Sequence, residues 1–113
     1  MVDVVIPYLN VRNAFAALEF YKIAFGAEVL NIIERNGGLV AHADVSIEGA
    51  RFMLREEYPE YNFKSPESLG GTTINLFVYV KDVEAFFEQA IASGAKVIRP
   101  VEEQFHGDLM TEL

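Results

Sequence analysis

The sequence contains no cysteine, and basic residues are few. Without cysteine, a disulfide framework, a thiolate nucleophile and a cysteine-ligated metal are all excluded. Only 9 lysines and arginines accompany 17 aspartates and glutamates, which gives a net charge of −8. Proteins that bind nucleic acids neutralise phosphates with a basic stripe or patch, and this composition offers none. We therefore expect no nucleic-acid partner.

Long apolar runs are also missing from the sequence. No stretch reaches the roughly 20 apolar residues that a membrane-spanning helix needs, and the first ten residues lack the basic region of a signal peptide. We therefore expect no membrane partner and a cytoplasmic location. Hydrophobic residues nevertheless make up 51% of the 113 positions, which is enough for one domain with a packed core.

One sequence layout occurs twice, in residues 11–29 and 80–97. Each copy begins with a valine and a basic residue, continues through a helix N-cap (Asn13 or Asp82) and an amphipathic run, and then reaches Gly-Ala and further apolar residues. Cap residues and a closing glycine at matching positions predict one helix in each copy. The recurrence indicates an internal duplication of a strand–helix–strand unit.

Alternation of apolar and polar residues predicts the strands around these helices. The expected strands cover residues 4–11, 28–35, 39–47, 50–55, 72–80, 96–100 and 107–113. In the third of them, alternation places Ala43 and Val45 toward the core, and Val40, His42 and Asp44 on the opposite face.

The element order divides the domain into two halves. Residues 1–55 are expected to form a first βαβββ module, and residues 72–113 a second module that is incomplete. Residues 56–71 contain two prolines and a Gly-Gly pair, and they must link the modules. A loop of this length is either a functional lid or a plain linker.

Several phrases of the sequence occur in an order and at a spacing typical of a known family. They are PYLNV (residues 7–11), EFYKIAFGAEV (19–29), AHADVSIEGARFMLREEYPE (41–60), SPESLGG (65–71), FVYVKDVEAFFEQAIASGAKVIRPVEEQF (77–105) and GDL (107–109). In these phrases the chain resembles the vicinal oxygen chelate superfamily, which includes glyoxalase I, bleomycin-resistance proteins and extradiol dioxygenases. Within that superfamily it resembles the PhnB-like branch.

The resemblance implies an α+β fold of tandem βαβββ modules, whose curved mixed sheets surround a cleft. It also implies a homodimer. The chain departs from the family in carrying His106 where tryptophan is usual. A further departure is that the family's last strand would follow Leu113, so this strand is expected to be missing here.

Metal-using members of the superfamily take ligands from the first and last strands of each module. The matching positions here are Ile6, Met53 and Asn75, and the fourth falls beyond Leu113. Ile6 has no donor atom, the Met53 thioether suits Cu(I) rather than Zn, Ni, Fe or Mn, and Asn75 is a weak ligand. We therefore expect no resident metal, with a divalent metal as the alternative.

The cleft is expected to bind a small, partly apolar molecule. The expected ligand-binding residues are Ile6, Tyr8, His42, Asp44, Met53, Arg55, Asn75, Phe77 and Phe105. His42 is also the candidate catalytic residue, because histidine serves as a general base near neutral pH. The simpler alternative is that His42 is a half-buried histidine that only lines the cleft.

Two functions follow from this set of residues. The first is a small-molecule binding protein of the bleomycin-resistance type that works without the usual metal. The alternative is a metal-dependent enzyme of the glyoxalase or dioxygenase type, with an unknown substrate.

Overall fold

The computed structural model describes residues 1–97, 99–103 and 109–112, and within them six strands, three α-helices and one 3-10 turn. The strands are β1 (Tyr8–Val11), β2 (Glu28–Arg35), β3 (Leu39–Ile47), β4 (Ala50–Glu56), β5 (Arg99–Glu103) and β6 (Leu109–Glu112). The helices are α1 (Ala14–Phe25), α2 (Pro66–Leu69) and α3 (Val83–Ala92), and a 3-10 turn covers Pro59–Tyr61.

The first four strands form one mixed sheet in the order β1-β4-β3-β2. β1 runs parallel to β4, whereas the β4–β3 and β3–β2 pairs are antiparallel. With α1 between β1 and β2, this sheet is the βαβββ unit that the sequence predicted. β5 and β6 pair with each other in a second, antiparallel sheet. The predicted α+β fold with a curved and unclosed mixed sheet is therefore confirmed.

Helix α1 begins and ends where the sequence predicted. The Asn13 side chain accepts a hydrogen bond of 3.1 Å from the backbone N–H of Ala16. Gly26 ends the helix with a φ of 66°, a left-handed conformation that glycine adopts without strain. The helix contributes buried Ala14 and Leu18 to the core, and the sheet contributes Val40, Ala43, Val45, Phe52 and Leu54.

A β-bulge in β3 changes which side chains reach the core. Simple alternation placed Val40 on the face away from the core, and this prediction is wrong, because Val40 is fully buried in the core cluster. Ile33 of β2 pairs with His42, but its neighbour Glu34 pairs with Val40, which leaves Ala41 as an extra residue. One extra residue inverts the alternation, so Val40 joins the core while His42 stays on the opposite face.

The predicted strand over residues 72–80 is the main error in the expected element order. This run has no strand pairing within the part of the chain that the structure describes, and Ile74, Phe77 and Tyr79 are exposed. In the first half, β1 is paired with β4, the fourth strand of its unit. The second half has no counterpart of β4 among the described residues, so residues 72–80 have no strand with which to share ladder hydrogen bonds.

Strands β1 and β5 also begin at residues other than those predicted. The first strand begins at Tyr8 rather than at residue 4, although the Pro7 carbonyl still accepts a hydrogen bond of 2.9 Å from the N–H of Met53. The strand expected over residues 96–100 is β5, which begins three residues later. The strand expected over residues 107–113 is β6, for which the structure describes residues 109–112.

Helix α3 connects the second half to the first. The Asp82 side chain caps the helix by accepting a hydrogen bond of 3.0 Å from the N–H of Ala85, as predicted. Phe86 stacks on Phe25 of α1 with a centroid distance of 5.2 Å. No helix in residues 1–97, the range that contains every helix described here, is long and apolar enough to cross a membrane.

The linking loop is fastened to the first half by Glu57. This carboxylate accepts hydrogen bonds from the Ser68 hydroxyl (2.6 Å) and from the backbone N–H of Ser65 (3.2 Å), and Arg12 donates to its other oxygen at 3.3 Å. These hydrogen bonds lower the pKa of Glu57 to about 2. The bond from the Ser68 hydroxyl has the largest effect, and the bond from the Ser65 backbone has the next largest. The ionised Glu57 carboxylate therefore joins Ser65 and Ser68 of the loop to Arg12 of the first half.

Candidate ligand-binding site

The face of the first sheet that points away from α1 carries a row of polar side chains. Tyr8 on β1 lies opposite Met53 on β4, and Met53 in turn lies opposite Asp44 on β3. Because neighbours in register across a sheet point to the same side, these three side chains share one face. His42 lies on the same face, because it precedes Asp44 by two residues on β3, whereas the bulge at Ala41 turns only Val40 into the core.

Tyr8, His42 and Asp44 form a continuous chain of contacts. The Tyr8 hydroxyl lies within hydrogen-bond distance (2.9 Å) of Nδ1 of His42, and Nε2 of the same ring lies 3.2 Å from Oδ1 of Asp44. A carboxylate only accepts, so the neutral imidazole places its proton on Nε2, and Nδ1 accepts the proton of the Tyr8 hydroxyl. The side chains of His42 and Asp44 are only 25% and 17% exposed, so their contacts are partly shielded from water.

Two arginines extend this chain of contacts in opposite directions. Arg51 Nη2 lies 3.4 Å from the same Asp44 oxygen. On the other side, the guanidinium carbon of Arg55 lies 4.4 Å from the centre of the Tyr8 ring and 3.4 Å from the centre of the Phe63 ring. Arg55 Nε also donates to Oδ1 of Asn10 at 2.8 Å, which fixes the orientation of the guanidinium plane.

The structure brings together about half of the residues that the sequence placed in the site. Tyr8, His42, Asp44, Met53 and Arg55 lie on one face of the sheet.

The other members of the expected set do not join this group in the described contacts. Ile6 lies two residues before β1 and is half-buried. Asn75 and Phe77 lie in the exposed run of residues 72–80, and Phe77 is 66% exposed. Phe105 lies outside the described residues.

Sequence reasoning missed several side chains beside this face. Asn10 holds Arg55, and its position was readable from alternation, because Asn10 follows Tyr8 by two residues on β1. Phe63 and Tyr58 lie in the linking loop, where they contact Arg55 and Arg35 respectively. No periodicity marks loop residues as site residues, so the sequence carried no signal for these two contacts.

The residues present do not fit the metal centre of the family. Across the described ranges, no three histidine, aspartate or glutamate side chains are grouped so that they could hold a metal ion. At the family's ligand positions, Ile6 has no donor atom and Met53 offers a thioether. His42 and Asp44 are two ligating residue types, but both nitrogens of His42 already contact protein groups.

The family model of the Glyoxalase/Bleomycin resistance protein/Dioxygenase superfamily matches residues 2–112. The chain therefore belongs to this superfamily. An uncharacterized protein of Mycobacterium bovis is 36% identical over 105 residues, a match that covers 90% of this chain and 69% of that protein. An uncharacterized protein of Mycobacterium tuberculosis has the same identity, and the chain covers 62% of its length.

Solved structures share the fold at lower sequence identity. TioX from Micromonospora has a TM-score of 0.72 and 22% identity, with 96% of this chain and 84% of TioX covered. A PhnB protein from Bacillus cereus, described as a putative 3-demethylubiquinone-9 3-methyltransferase, has a TM-score of 0.65 and 20% identity. The match covers 93% of this chain and 85% of the Bacillus protein. These likenesses confirm the fold.

Proposed function

We propose that this chain binds a small organic molecule on the open face of the first sheet, without the metal used by many members of the superfamily. The observation that carries the proposal is the Tyr8–His42–Asp44 chain of contacts. It places donors and acceptors beside the apolar surfaces of Met53 and the Tyr8 ring. A few fixed polar groups on an apolar surface are typical of small-molecule sites.

The donor set supports binding without metal. A divalent ion at the family position would need ligands from Ile6 and Met53, which offer no oxygen or nitrogen side-chain donor. Recruiting His42 instead would require breaking its contact with Tyr8 or with Asp44.

The proposal also includes the oligomeric state of the chain and its branch within the superfamily. We infer a homodimer from the family resemblance of the sequence phrases. We infer a place in the PhnB-like branch from those phrases and from the PhnB protein among the structural neighbours. Light scattering on the purified chain tests the dimer, and a mass of about 12.7 kDa, that of one chain, would contradict it.

A fragment screen tests the binding proposal. The purified chain, treated with a chelator and then dialysed, is screened against aromatic and aliphatic fragments by ligand-observed NMR. We expect hits that bind equally well before and after chelation and that weaken in Tyr8→Phe and His42→Ala. The matched control is Tyr79→Phe, which removes a hydroxyl from a side chain that is 87% exposed. Hits that disappear on chelation and return with one equivalent of a divalent metal would contradict the proposal.

A second candidate function is proton-transfer catalysis by His42. It is favoured by the contact between Nε2 and Asp44, because a carboxylate in that position holds the imidazole in one tautomer and stabilises the imidazolium that forms on proton uptake. In this role Nδ1 takes the proton from a substrate carbon or from the Tyr8 hydroxyl. The test is solvent deuterium incorporation into an enolisable ketone, followed by NMR. Catalysed exchange should fall at least a hundredfold in His42→Ala, and an unchanged rate would exclude the role.

A further inference from the structure

A cavity of about 230 Å³ lies next to the proposed binding face, between the first sheet and the linking loop. Its walls are formed by Arg35, Ala41, Arg55, Tyr58, Tyr61 and Phe63. The volume is below the roughly 300–1,000 Å³ of pockets for drug-sized ligands, so any occupant is a small molecule. Two arginines and three aromatic rings in so small a space are an unusual lining for this acidic chain.

Both arginines are held in place by neutral groups. Arg35 donates from Nη2 to the backbone carbonyl of Glu57 at 3.2 Å, and its guanidinium carbon lies 4.1 Å from the centre of the Tyr58 ring. Arg55 donates to Asn10 and lies between the rings of Tyr8 and Phe63. Stacking on aromatic faces and a single fixed hydrogen bond orient each guanidinium, and the described contacts leave other Nη donors of both arginines without a partner.

Within the described ranges, no carboxylate neutralises either arginine. Among the side chains that the structure describes, neither Arg35 nor Arg55 has a carboxylate oxygen within 4.0 Å, although acidic residues outnumber basic ones by 17 to 9. Glu56 also borders the cavity, but its Oε2 accepts a hydrogen bond of 2.9 Å from the N–H of Ala14 at the start of α1.

One donor of Arg35 is buried beside this cavity without a partner among the described residues. Arg35 Nε is inaccessible to water and makes no hydrogen bond to any residue in the described part of the chain. Buried donors are almost always paired, because leaving one unpaired loses its hydration without compensation. Because water cannot reach Nε, a ligand in the cavity would pair with the Nη donors of Arg35 instead.

We propose that the cavity binds a small aromatic carboxylate. Its carboxylate would accept hydrogen bonds from Arg35 and Arg55, and its ring would pack against Tyr58, Tyr61 and Phe63. The paired geometry of a carboxylate matches the fork of a guanidinium, and the aromatic walls favour a flat body. This inference rests on the proposed binding function and specifies its ligand class, because Arg55 contacts Tyr8 and so borders both the cavity and the His42 face.

Calorimetric titration of the full chain with 2-naphthoate tests the proposal. 2-Naphthamide, which has the same ring system without the charge, and inorganic phosphate, which has charge without a ring, are titrated in parallel. We expect 2-naphthoate to bind at least tenfold more tightly than either. Equal affinity for 2-naphthamide would overturn the requirement for an anion, and equal affinity for phosphate would overturn the requirement for a ring.

Variants locate the binding. Arg35→Met and Arg55→Met are each expected to weaken 2-naphthoate binding at least tenfold. Arg55→Lys keeps the positive charge but removes the planar guanidinium that stacks on the rings of Tyr8 and Phe63, and we expect it to weaken binding severalfold. The charge-matched control is Lys22→Met, which removes one positive charge from the surface of α1 and should leave affinity within twofold. Circular dichroism confirms that each variant is folded, and the lysine variant keeps the test valid if a methionine variant unfolds.

The outcomes separate this inference from the broader proposal. If 2-naphthoate binding weakens in His42→Ala but stays within twofold in both arginine-to-methionine variants, the cavity proposal fails and the binding face of the first sheet stands. If the arginine variants lose binding while His42→Ala does not, the cavity proposal stands and the role of the His42 face is wrong.

Discussion

The two halves of this chain share one sequence layout but differ in how their strands are paired. In residues 1–55, four strands pair in one sheet over α1, and the core side chains Val40, Val45 and Leu54 are fully buried. In residues 72–113, the described strands are β5 and β6, and the apolar run of residues 72–80 is exposed. The same alternating pattern thus forms a strand in one half and an unpaired segment in the other.

The difference shows that alternation alone does not create a strand. β1 is only four residues long and is held in the sheet by parallel pairing with β4. Residues 72–80 have a higher content of strand-forming residues, yet no equivalent partner occurs within the described residues. Strand propensity expresses the fit of side chains to a pleated surface, so it does not form a strand by itself where the described residues offer no neighbouring strand.

The largest expected effect concerns the cores of the two halves. Leu54→Ala removes a fully buried side chain from the first sheet, and we expect it to lower the free energy of unfolding by about 2–5 kcal/mol. Leu76→Ala, the matched change in the exposed run, should change it by less than about 0.5 kcal/mol, because Leu76 is 51% exposed. Urea denaturation measures both. An equal loss of stability in Leu54→Ala and Leu76→Ala would show that residues 72–80 are packed as tightly as the core of the first half.

The helix caps test whether the shared layout has the same energetic role in both halves. Asn13 and Asp82 make equivalent bonds of 3.1 and 3.0 Å to the N–H three residues later. Replacing either with alanine should lower stability by about 1 kcal/mol. Glycine in place of each alanine should recover much of that loss, since it is tolerated at this position. A loss confined to Asn13→Ala would show that α3 unfolds without affecting the first half.

The loop between the halves should respond to acid through Glu57. Its pKa of about 2 in the folded chain lies below the ordinary value of 4.5, so its stabilising contribution is complete above pH 4.5 and is lost as the pH falls toward 2. Glu57→Gln should therefore be less stable than the parent chain at neutral pH, and the difference should shrink across that range. Thermal unfolding at several pH values measures it. Glu60→Gln is the control, because Glu60 is an exposed residue of the same loop. A constant difference between pH 7 and pH 2 would contradict the assigned role of Glu57.

The smallest expected effect concerns the exposed edge of the site. Arg51 lies 3.4 Å from Asp44 and its side chain is 52% exposed. Arg51→Ala should lower stability by less than about 1 kcal/mol, the usual range for a surface ion pair. A loss above 2 kcal/mol would show that the pair is a structural part of the sheet.

Local chemistry made most of the first half predictable from the sequence. Helix α1 begins after Asn13, whose side chain caps its first turn, and ends at Gly26, which adopts a left-handed backbone conformation. The turn at Asn36-Gly37-Gly38 connects β2 and β3 as a hairpin. The bulge at Ala41 was not predictable, because it depends on the register that two strands adopt together.

The site was predictable only where it followed strand alternation. Tyr8, Asp44 and Met53 lie in one row because their strands pair in register. Phe63 and Tyr58 reach the arginines from a loop, whose path depends on the bonds between Glu57 and the two serines rather than on periodicity. Asn75 was placed in the site by matching the two halves, and it lies in the exposed run of residues 72–80, outside the described contacts of the site.

The central claim is that the binding site belongs to the first half and the adjoining loop, and that it does not lie between the two halves. Backbone amide NMR shifts of the labelled chain during titration with 2-naphthoate test it most directly. We expect concentration-dependent shifts at Tyr8, His42 and Arg55, with the amides of residues 74–79 unchanged. Shifts at residues 74–79 without shifts at Tyr8, His42 and Arg55 would contradict the claim.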